Sequence, residues 1–304
     1  MYRIILIGGS GFIGASLALN LISQGNYSVT VVGRSKEPSF FLPKNINYSS
    51  FDIFSNDLHK LLADFDAVID LAYATKPMTS FEDPIGDILN NVPVHVRLFQ
   101  AARDVGIDKY VYISSGGTVY GNSGRSPFFE TNATNPVSPY GITKLSIEKY
   151  AQMFFKHNGF PVVIARPSNP FGSNQLQVYG QGFIAAAYRA LTQGTELSIY
   201  GVRGGIRDYI YIDDLATGIV NLLKLGVKGE IYNIGSGLGH DNIEILELIS
   251  DCLNISYTKI NRLPKRPFDV EYSVLDISKI KRDTGWVPKF DVKLGILEMV
   301  KGLK

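Results

Sequence analysis

The opening of the chain restricts its fold more than any other feature. Arg3–Gly8 is a short apolar, β-branched run, and Gly8-Gly9-Ser10-Gly11-Phe12-Ile13-Gly14 follows it directly, ahead of a helical pattern carrying Leu17, Leu21 and Ile22. Glycines between a strand and a helix allow a tight turn and a close approach of backbone to a pyrophosphate. They also leave the N–H groups at the helix start free to receive phosphate oxygens. The spacing is GxxGxxG rather than the commoner GxGxxG, so the triplet alone says little. Its position at the head of a strand–turn–helix unit makes Gly8, Gly11, Phe12, Ile13 and Gly14 the expected cradle of a dinucleotide. Residues 4–22 are also apolar enough to suggest a secretory leader or a membrane span. A glycine at every third position serves neither, which favours the strand–turn–helix reading.

The rhythm set there continues. Strand candidates are Arg3–Gly8, Ser28–Gly33, Tyr48–Ile53, Ala67–Leu71, Tyr110–Ser114, Val162–Arg166 and Ile231–Ile234, with helical patterns near 12–24, 85–105, 139–157 and 213–225. Runs apolar on both faces suit parallel strands covered by helices on each side. The expected fold is therefore α/β, a doubly wound parallel sheet with a smaller C-terminal lobe. A dinucleotide-binding domain is expected over 1–166, with segments near 207–235 returning to it, and a substrate lobe over 167–304. At 304 residues the length fits, taking roughly 150 residues per domain. A hydrophobic share of 45% and a charged share of 19% exclude global disorder. A net charge of +2 gives no basic face for nucleic acid, and no second stretch is apolar enough to span a membrane. The lone Cys252 excludes a disulfide framework and fits a reducing, cytoplasmic location. His59, His95, His157 and His240 show no metal-ligand spacing, so no metal is expected.

Two further segments carry chemistry. NAD usually finds an acid for its adenosine ribose about 20 residues after the glycines. Here Val31-Val32 runs into Gly33-Arg34-Ser35, with no acid before Glu37. Arg34, assisted by Ser35, matches the 2′-phosphate of NADP, which makes NADP the expected cofactor and NAD the alternative. Further on, Ser138-Pro139 opens a helix that places Tyr140 and Lys144 four residues apart on one face. An ammonium beside a phenol lowers its pKa, so Tyr140 is expected to act as a general acid/base.

With these residues in view, the chain resembles the extended short-chain dehydrogenase/reductase family, within it the nucleotide-sugar epimerases and reductases. The likeness is carried by GGSGFIG, Asp52-Ile53, Leu71-Ala72, SSGGTVYG at 114–121, the Tyr140/Lys144 pair and RPSNPFG at 166–172. RDYIYIDDLA at 207–216, IYNIGSG at 231–237 and TGWVPKF at 284–290 extend it over nearly the whole length. The resemblance implies that Asp52 and Ile53 hold the adenine, that Lys144 holds the nicotinamide ribose, and that Leu71, Ala72, Asn91 and Pro167 complete the cofactor site. It implies Asn169, Arg207, Arg266 and Asp269 as contacts to the diphosphate of a nucleotide sugar. Arg207 and Arg266 are also the forked donors that a diphosphate needs. The alternative for Arg266 is a solvated basic face shared with Lys259, Arg262 and Lys265. A homodimer through helices 85–105 and 139–157 is implied as well.

One departure matters. Relatives place a Ser or Thr at position 116 to bond the reacting sugar oxygen, and this chain has Gly116. Thr118, two residues on and expected on the same strand face, is the preferred substitute, with Ser115 the other candidate. Gly117-Thr118 replaces the Asp-Glu of dehydratases, and the Cys of the 3,5-epimerase-reductases is absent. The reaction expected is epimerisation at C4 of a UDP-hexose or UDP-N-acetylhexosamine through a 4-keto intermediate. The alternatives are an NADPH-dependent 4-ketosugar reductase and a non-catalytic dinucleotide-sensing protein. Ser273, small where the C4 epimerases bound the sugar pocket, points to an N-acetylated sugar.

Overall fold

A computed structural model describes residues 1–54, 57–122, 127–177, 182–256, 259–265 and 270–302. In chain order its first elements are β1 (Tyr2–Ile7), α1 (Phe12–Ser23), β2 (Tyr27–Gly33), β3 (Asn47–Ser50), α2 (Leu58–Leu62) and β4 (Ala67–Asp70). Then come α3 (Pro77–Glu82), α4 (Pro84–Asp104), β5 (Lys109–Ile113), α5 (Gly116–Val119), α6 (Pro139–Asn158) and β6 (Val162–Pro167). The C-terminal half holds β7 (Asn169–Phe171), α7 (Phe183–Gln193), β8 (Leu197–Tyr200), β9 (Ile206–Tyr211), α8 (Ile212–Leu225) and β10 (Ile231–Ile234). It closes with β11 (Gly239–His240), α9 (Asn242–Leu253), β12 (Ile260–Leu263), β13 (Tyr272–Ser273), α10 (Ser278–Thr284) and α11 (Val292–Lys301).

Seven parallel strands form the main sheet in the order β10-β6-β5-β4-β1-β2-β3. Period-2 alternation explains why IILI in β1 is apolar throughout. Ile4 and Leu6 join the core under α1 and α8, while Ile5 and Ile7 join the core under α4 and α6. All four are essentially inaccessible, each worth roughly 1.5–3 kcal/mol of burial. Winding reverses between β1 and β4, and the crevice beyond their carboxyl ends is where such sheets hold ligands.

The smaller sheet sits over that edge. β9 pairs with β7 and β13 in parallel and with β11 antiparallel, and β8 pairs separately with β12. Asp208 in β9 draws distant segments together. Its buried carboxylate accepts from the Ser236 N–H at 2.8 Å, the Ser236 hydroxyl at 2.7 Å, the Gly237 N–H at 3.1 Å and the Leu275 N–H at 3.3 Å. Among the described residues, no helix is long and apolar enough to cross a membrane.

Candidate active site

Three clefts run together across the carboxyl edge of the main sheet. The first, about 300 Å³, is lined by Gly8, Gly11, Arg34, Ile53, Leu71, Ala72, Tyr73 and Asn91, among others. The second, about 650 Å³, shares Gly8, Gly11, Leu71 and Tyr73 with it, and adds Phe12, Ile13, Gly14, Ser115, Tyr140, Lys144, Pro167 and Ser168. The third, about 310 Å³, shares Asn169, Pro170, Gln175 and Gly182 with the second and reaches Arg207 and Tyr209. The result is one trough from the glycine turn to the small sheet.

The glycine turn is built for close approach. Gly8 has φ +72°, and a Cβ there would lie 2.7 Å from the Ala72 backbone. A Cβ on Gly14 would lie 2.2 Å from the Gly9 carbonyl oxygen, so helix and turn interlock. A Cβ on Gly11 would meet only the Gly8 carbonyl oxygen, at 3.7 Å, with the cleft on its open side. Gly11 also caps α1 without a side-chain bond, which leaves the first helical N–H groups for a ligand. The turn thus fits a dinucleotide pyrophosphate. Arg34 is exposed at the far end of the first cleft, and with Asp52 it also lines an adjoining recess. Asp52 accepts the Phe54 N–H at 3.0 Å. Ser35 is exposed and lines none of these clefts. Its carbonyl accepts from the Tyr48 hydroxyl at 2.8 Å, which fixes the backbone next to Arg34.

Ser138 accepts the Gly141 N–H at 3.1 Å and Pro139 starts α6, so Tyr140 and Lys144 share the face that lines the central cleft. The Lys144 ammonium does not lie against the Tyr140 phenol. It donates to the Ile113 carbonyl at 2.8 Å, sits 4.1 Å from the Tyr73 ring centroid and stands 5.9 Å from the Tyr140 ring centroid. Burial lowers Lys144 to about 8, against the opposing pull of Asp70, Glu148 and Asp87. Burial, then the Asp87 carboxylate, raises Tyr140 above its ordinary value. The expected lowering of the phenol is therefore reversed here, because a desolvated phenol beside an acid is harder to ionise.

Asp87 and Tyr73 were not anticipated from sequence. Tyr73 packs edge-on against Tyr140 with centroids 4.8 Å apart, and its hydroxyl donates to Asp87 at 3.4 Å. Thr75 also donates to Asp87. Asn91 donates to the Asp87 carbonyl at 2.7 Å and accepts the Ala74 N–H at 2.8 Å, which ties α4 to the loop after β4. The four-residue spacing of Asp87 and Asn91 on α4 was the available signal.

Around position 116 the structure corrects the sequence reading. Residues 116–119 form α5, so strand alternation does not apply and Thr118 does not present its hydroxyl beside position 116. The Thr118 hydroxyl is buried without a partner among the described residues, and Thr118 lines none of the clefts, whereas Ser115 lines the central one. Asn169 sits where the central and third clefts join, donating to the Asp208 carbonyl at 3.0 Å. Arg207 lines the third cleft. Ser273 pairs with Arg207 in the β-ladder and is buried, and it is not among the residues that line these three clefts. Arg266 and Asp269 lie outside the described residues. Among the described residues, no cluster could hold a metal ion.

The sheet order, the glycine turn and the Tyr140/Lys144 helix together define a nucleotide-dependent α/β enzyme of the doubly wound class. Residues 4–235 match the NAD dependent epimerase/dehydratase family, and the chain belongs to it. Over 98% of its length it is 30% identical to a UDP-glucose 4-epimerase of Mycolicibacterium smegmatis, covering 97% of that protein. It is 29% identical to a dTDP-4-dehydro-6-deoxyglucose reductase of Escherichia coli, covering 99% of this chain and 97% of that one. The crystal structure of the Thermotoga maritima UDP-glucose 4-epimerase with UDP-glucose superposes with a TM-score of 0.92 at 28% identity, covering 99% of this chain and 100% of that one.

Proposed function

We propose that this protein interconverts the C4 epimers of a UDP-hexose. The observation that carries the reading is the continuous trough, which brings Tyr140, Lys144 and Ser115 between a glycine cradle and an arginine-lined cleft. The epimerase relatives of full length support it. Gly8, Gly11 and Gly14 would hold the pyrophosphate of NAD, Ile53 and Asp52 its adenine end, and Lys144 its ribose. Bound beside Tyr140 and Lys144, NAD would supply a reversible hydride acceptor for C4 and a positive charge that favours the Tyr140 phenolate. Tyr140 takes the proton of the C4 hydroxyl and returns it to the C4 oxygen when the turned-over 4-keto sugar is reduced on its opposite face. Ser115, which lines the central cleft where Thr118 does not, would offer its hydroxyl to the reacting oxygen. Arg207 and Asn169 hold the diphosphate end. UDP-glucose, the sugar named for two of these relatives, is the first substrate to assay.

Purified protein should release NAD on denaturation and equilibrate UDP-glucose with UDP-galactose, and Tyr140→Phe should reduce turnover by about a hundredfold or more. Full activity in Tyr140→Phe would refute the assignment. Arg34, exposed at the adenosine end, favours a second reading, an NADPH-dependent 4-ketosugar reductase, which the reductase relative also supports. That reading requires an empty cofactor site on purification and stoichiometric NADPH consumption. We also propose that the chain is a homodimer. Ile85, Ile88 and Leu89 on α4 and Ile142, Tyr150 and Met153 on α6 are exposed on two helices that pack together, an apolar surface suited to a second copy.

A further inference from the structure

The central cleft holds a hydroxyl that neither the fold nor the proton transfer uses. Ser168 directly follows β6, and its N–H donates to the Ile234 carbonyl at 2.8 Å, which fixes its backbone. The residue is 6% exposed, and its hydroxyl is enclosed without a hydrogen-bond partner among the described residues. Ser168 nevertheless lines the same cleft as Tyr140, Lys144 and Ser115. A buried hydroxyl with no partner costs stability, so one kept at a ligand cleft points to a group that arrives there.

Two neighbouring features narrow what that group is. Gln175 is also 6% exposed and lines both the central and third clefts. Its amide N–H donates to the Pro170 carbonyl at 3.1 Å, which orients the side chain and leaves its oxygen as a bare acceptor. A bare acceptor disfavours phosphate oxygens and suits an O–H or N–H donor. Position 116 cannot serve the sugar. A Cβ there would lie 2.5 Å from Leu275 Cδ1 and 3.0 Å from the Arg166 carbonyl oxygen, and Gly116 lies outside the cleft lining.

Resting on the 4-epimerase reading, we propose that Ser168 is a substrate-binding residue whose hydroxyl bonds a hydroxyl of the hexose, supplying from the end of β6 a contact that position 116 does not make. Ser168→Ala in the full-length protein separates this role from a structural one. Removing an unpartnered hydroxyl leaves the thermal midpoint of the ligand-free protein equal to or above wild type. NAD affinity stays within about twofold, while kcat/KM for UDP-glucose falls about tenfold. UDP-2-deoxy-, 3-deoxy- and 6-deoxyglucose then locate the partner: one analogue costs the wild type about tenfold and costs Ser168→Ala nothing further. Wild-type kcat/KM in the variant, a loss confined to NAD affinity, or equal penalties for every analogue in both proteins overturns the proposal. If the wild type does not turn over UDP-glucose, the 4-epimerase reading fails by itself. Calorimetric binding of UDP-glucose then decides Ser168: about tenfold weaker binding in the variant supports the contact, and equal binding refutes it.

Discussion

Placing a serine at position 116 tests whether the glycine marks a vacancy or a closed position. The added Cβ would stand 2.5 Å from Leu275 Cδ1 and 3.0 Å from the Arg166 carbonyl oxygen, where ordinary contact begins at 3.4 Å. Leu275 has little freedom to yield, being 1% exposed and packed with Val119, Tyr120 and Phe128. Overpacking of this kind costs about 1–3 kcal/mol. Leu275→Ala alone leaves a void and costs about 2–5 kcal/mol. In the double variant the serine occupies part of that void, so the combined loss should fall short of the sum by about 1–2 kcal/mol. Urea unfolding followed by circular dichroism on the four proteins closes the cycle. Additivity within about 0.5 kcal/mol would mean that the Cβ does not meet Leu275, and the account of Gly116 would be wrong. A gain in turnover by Gly116→Ser would be equally damaging, because it would mean that this position does face the sugar.

Lys144 gives stability a pH signature. Burial holds it near 8 instead of its ordinary 10.5, so between those values the unfolded chain keeps a proton that the folded chain has shed, and this group's contribution rises with pH across that window. Urea unfolding at about pH 7.5 and 9.5 should show wild type gaining on Lys144→Met, and a constant difference would refute it. Arg34→Asp should weaken NADP binding about tenfold or more with little effect on NAD, read by fluorescence titration, whereas equal losses for both would separate Arg34 from the 2′-position. Leu89→Glu should shift the protein from dimer to monomer in light scattering without lowering its thermal midpoint in the monomeric state, and an unchanged mass would move the interface elsewhere.

Much of this was legible in the chain. Local chemistry announced the turn after β1 and the Ser138-Pro139 start of α6, because each depends on residues within a few positions of one another. The parallel, doubly wound sheet followed from strand–helix alternation, whereas its strand order emerged only in the structure. What escaped were contacts closed over long separations. Tyr73 reaches the Tyr140 backbone across 67 positions, and with Asp87 it decides the surroundings of the phenol more than the nearby Lys144 does. The Thr118 expectation failed for a different reason. Two glycines followed by a β-branched residue read as extended chain, but tertiary packing winds them into a helical turn. Ser168 was hidden because an orphan hydroxyl is visible only once every neighbour is in place.

The bonds of Asp208 reach well beyond β9. One carboxylate knots together stretches that begin at 206, 236 and 275, directly beside the Arg207 that lines the third cleft. A chain cut short before 275 would lose one of those bonds together with Ile280, Trp286, Ile296 and Met299, which pack into the same core as Ile4 and Leu6 of β1.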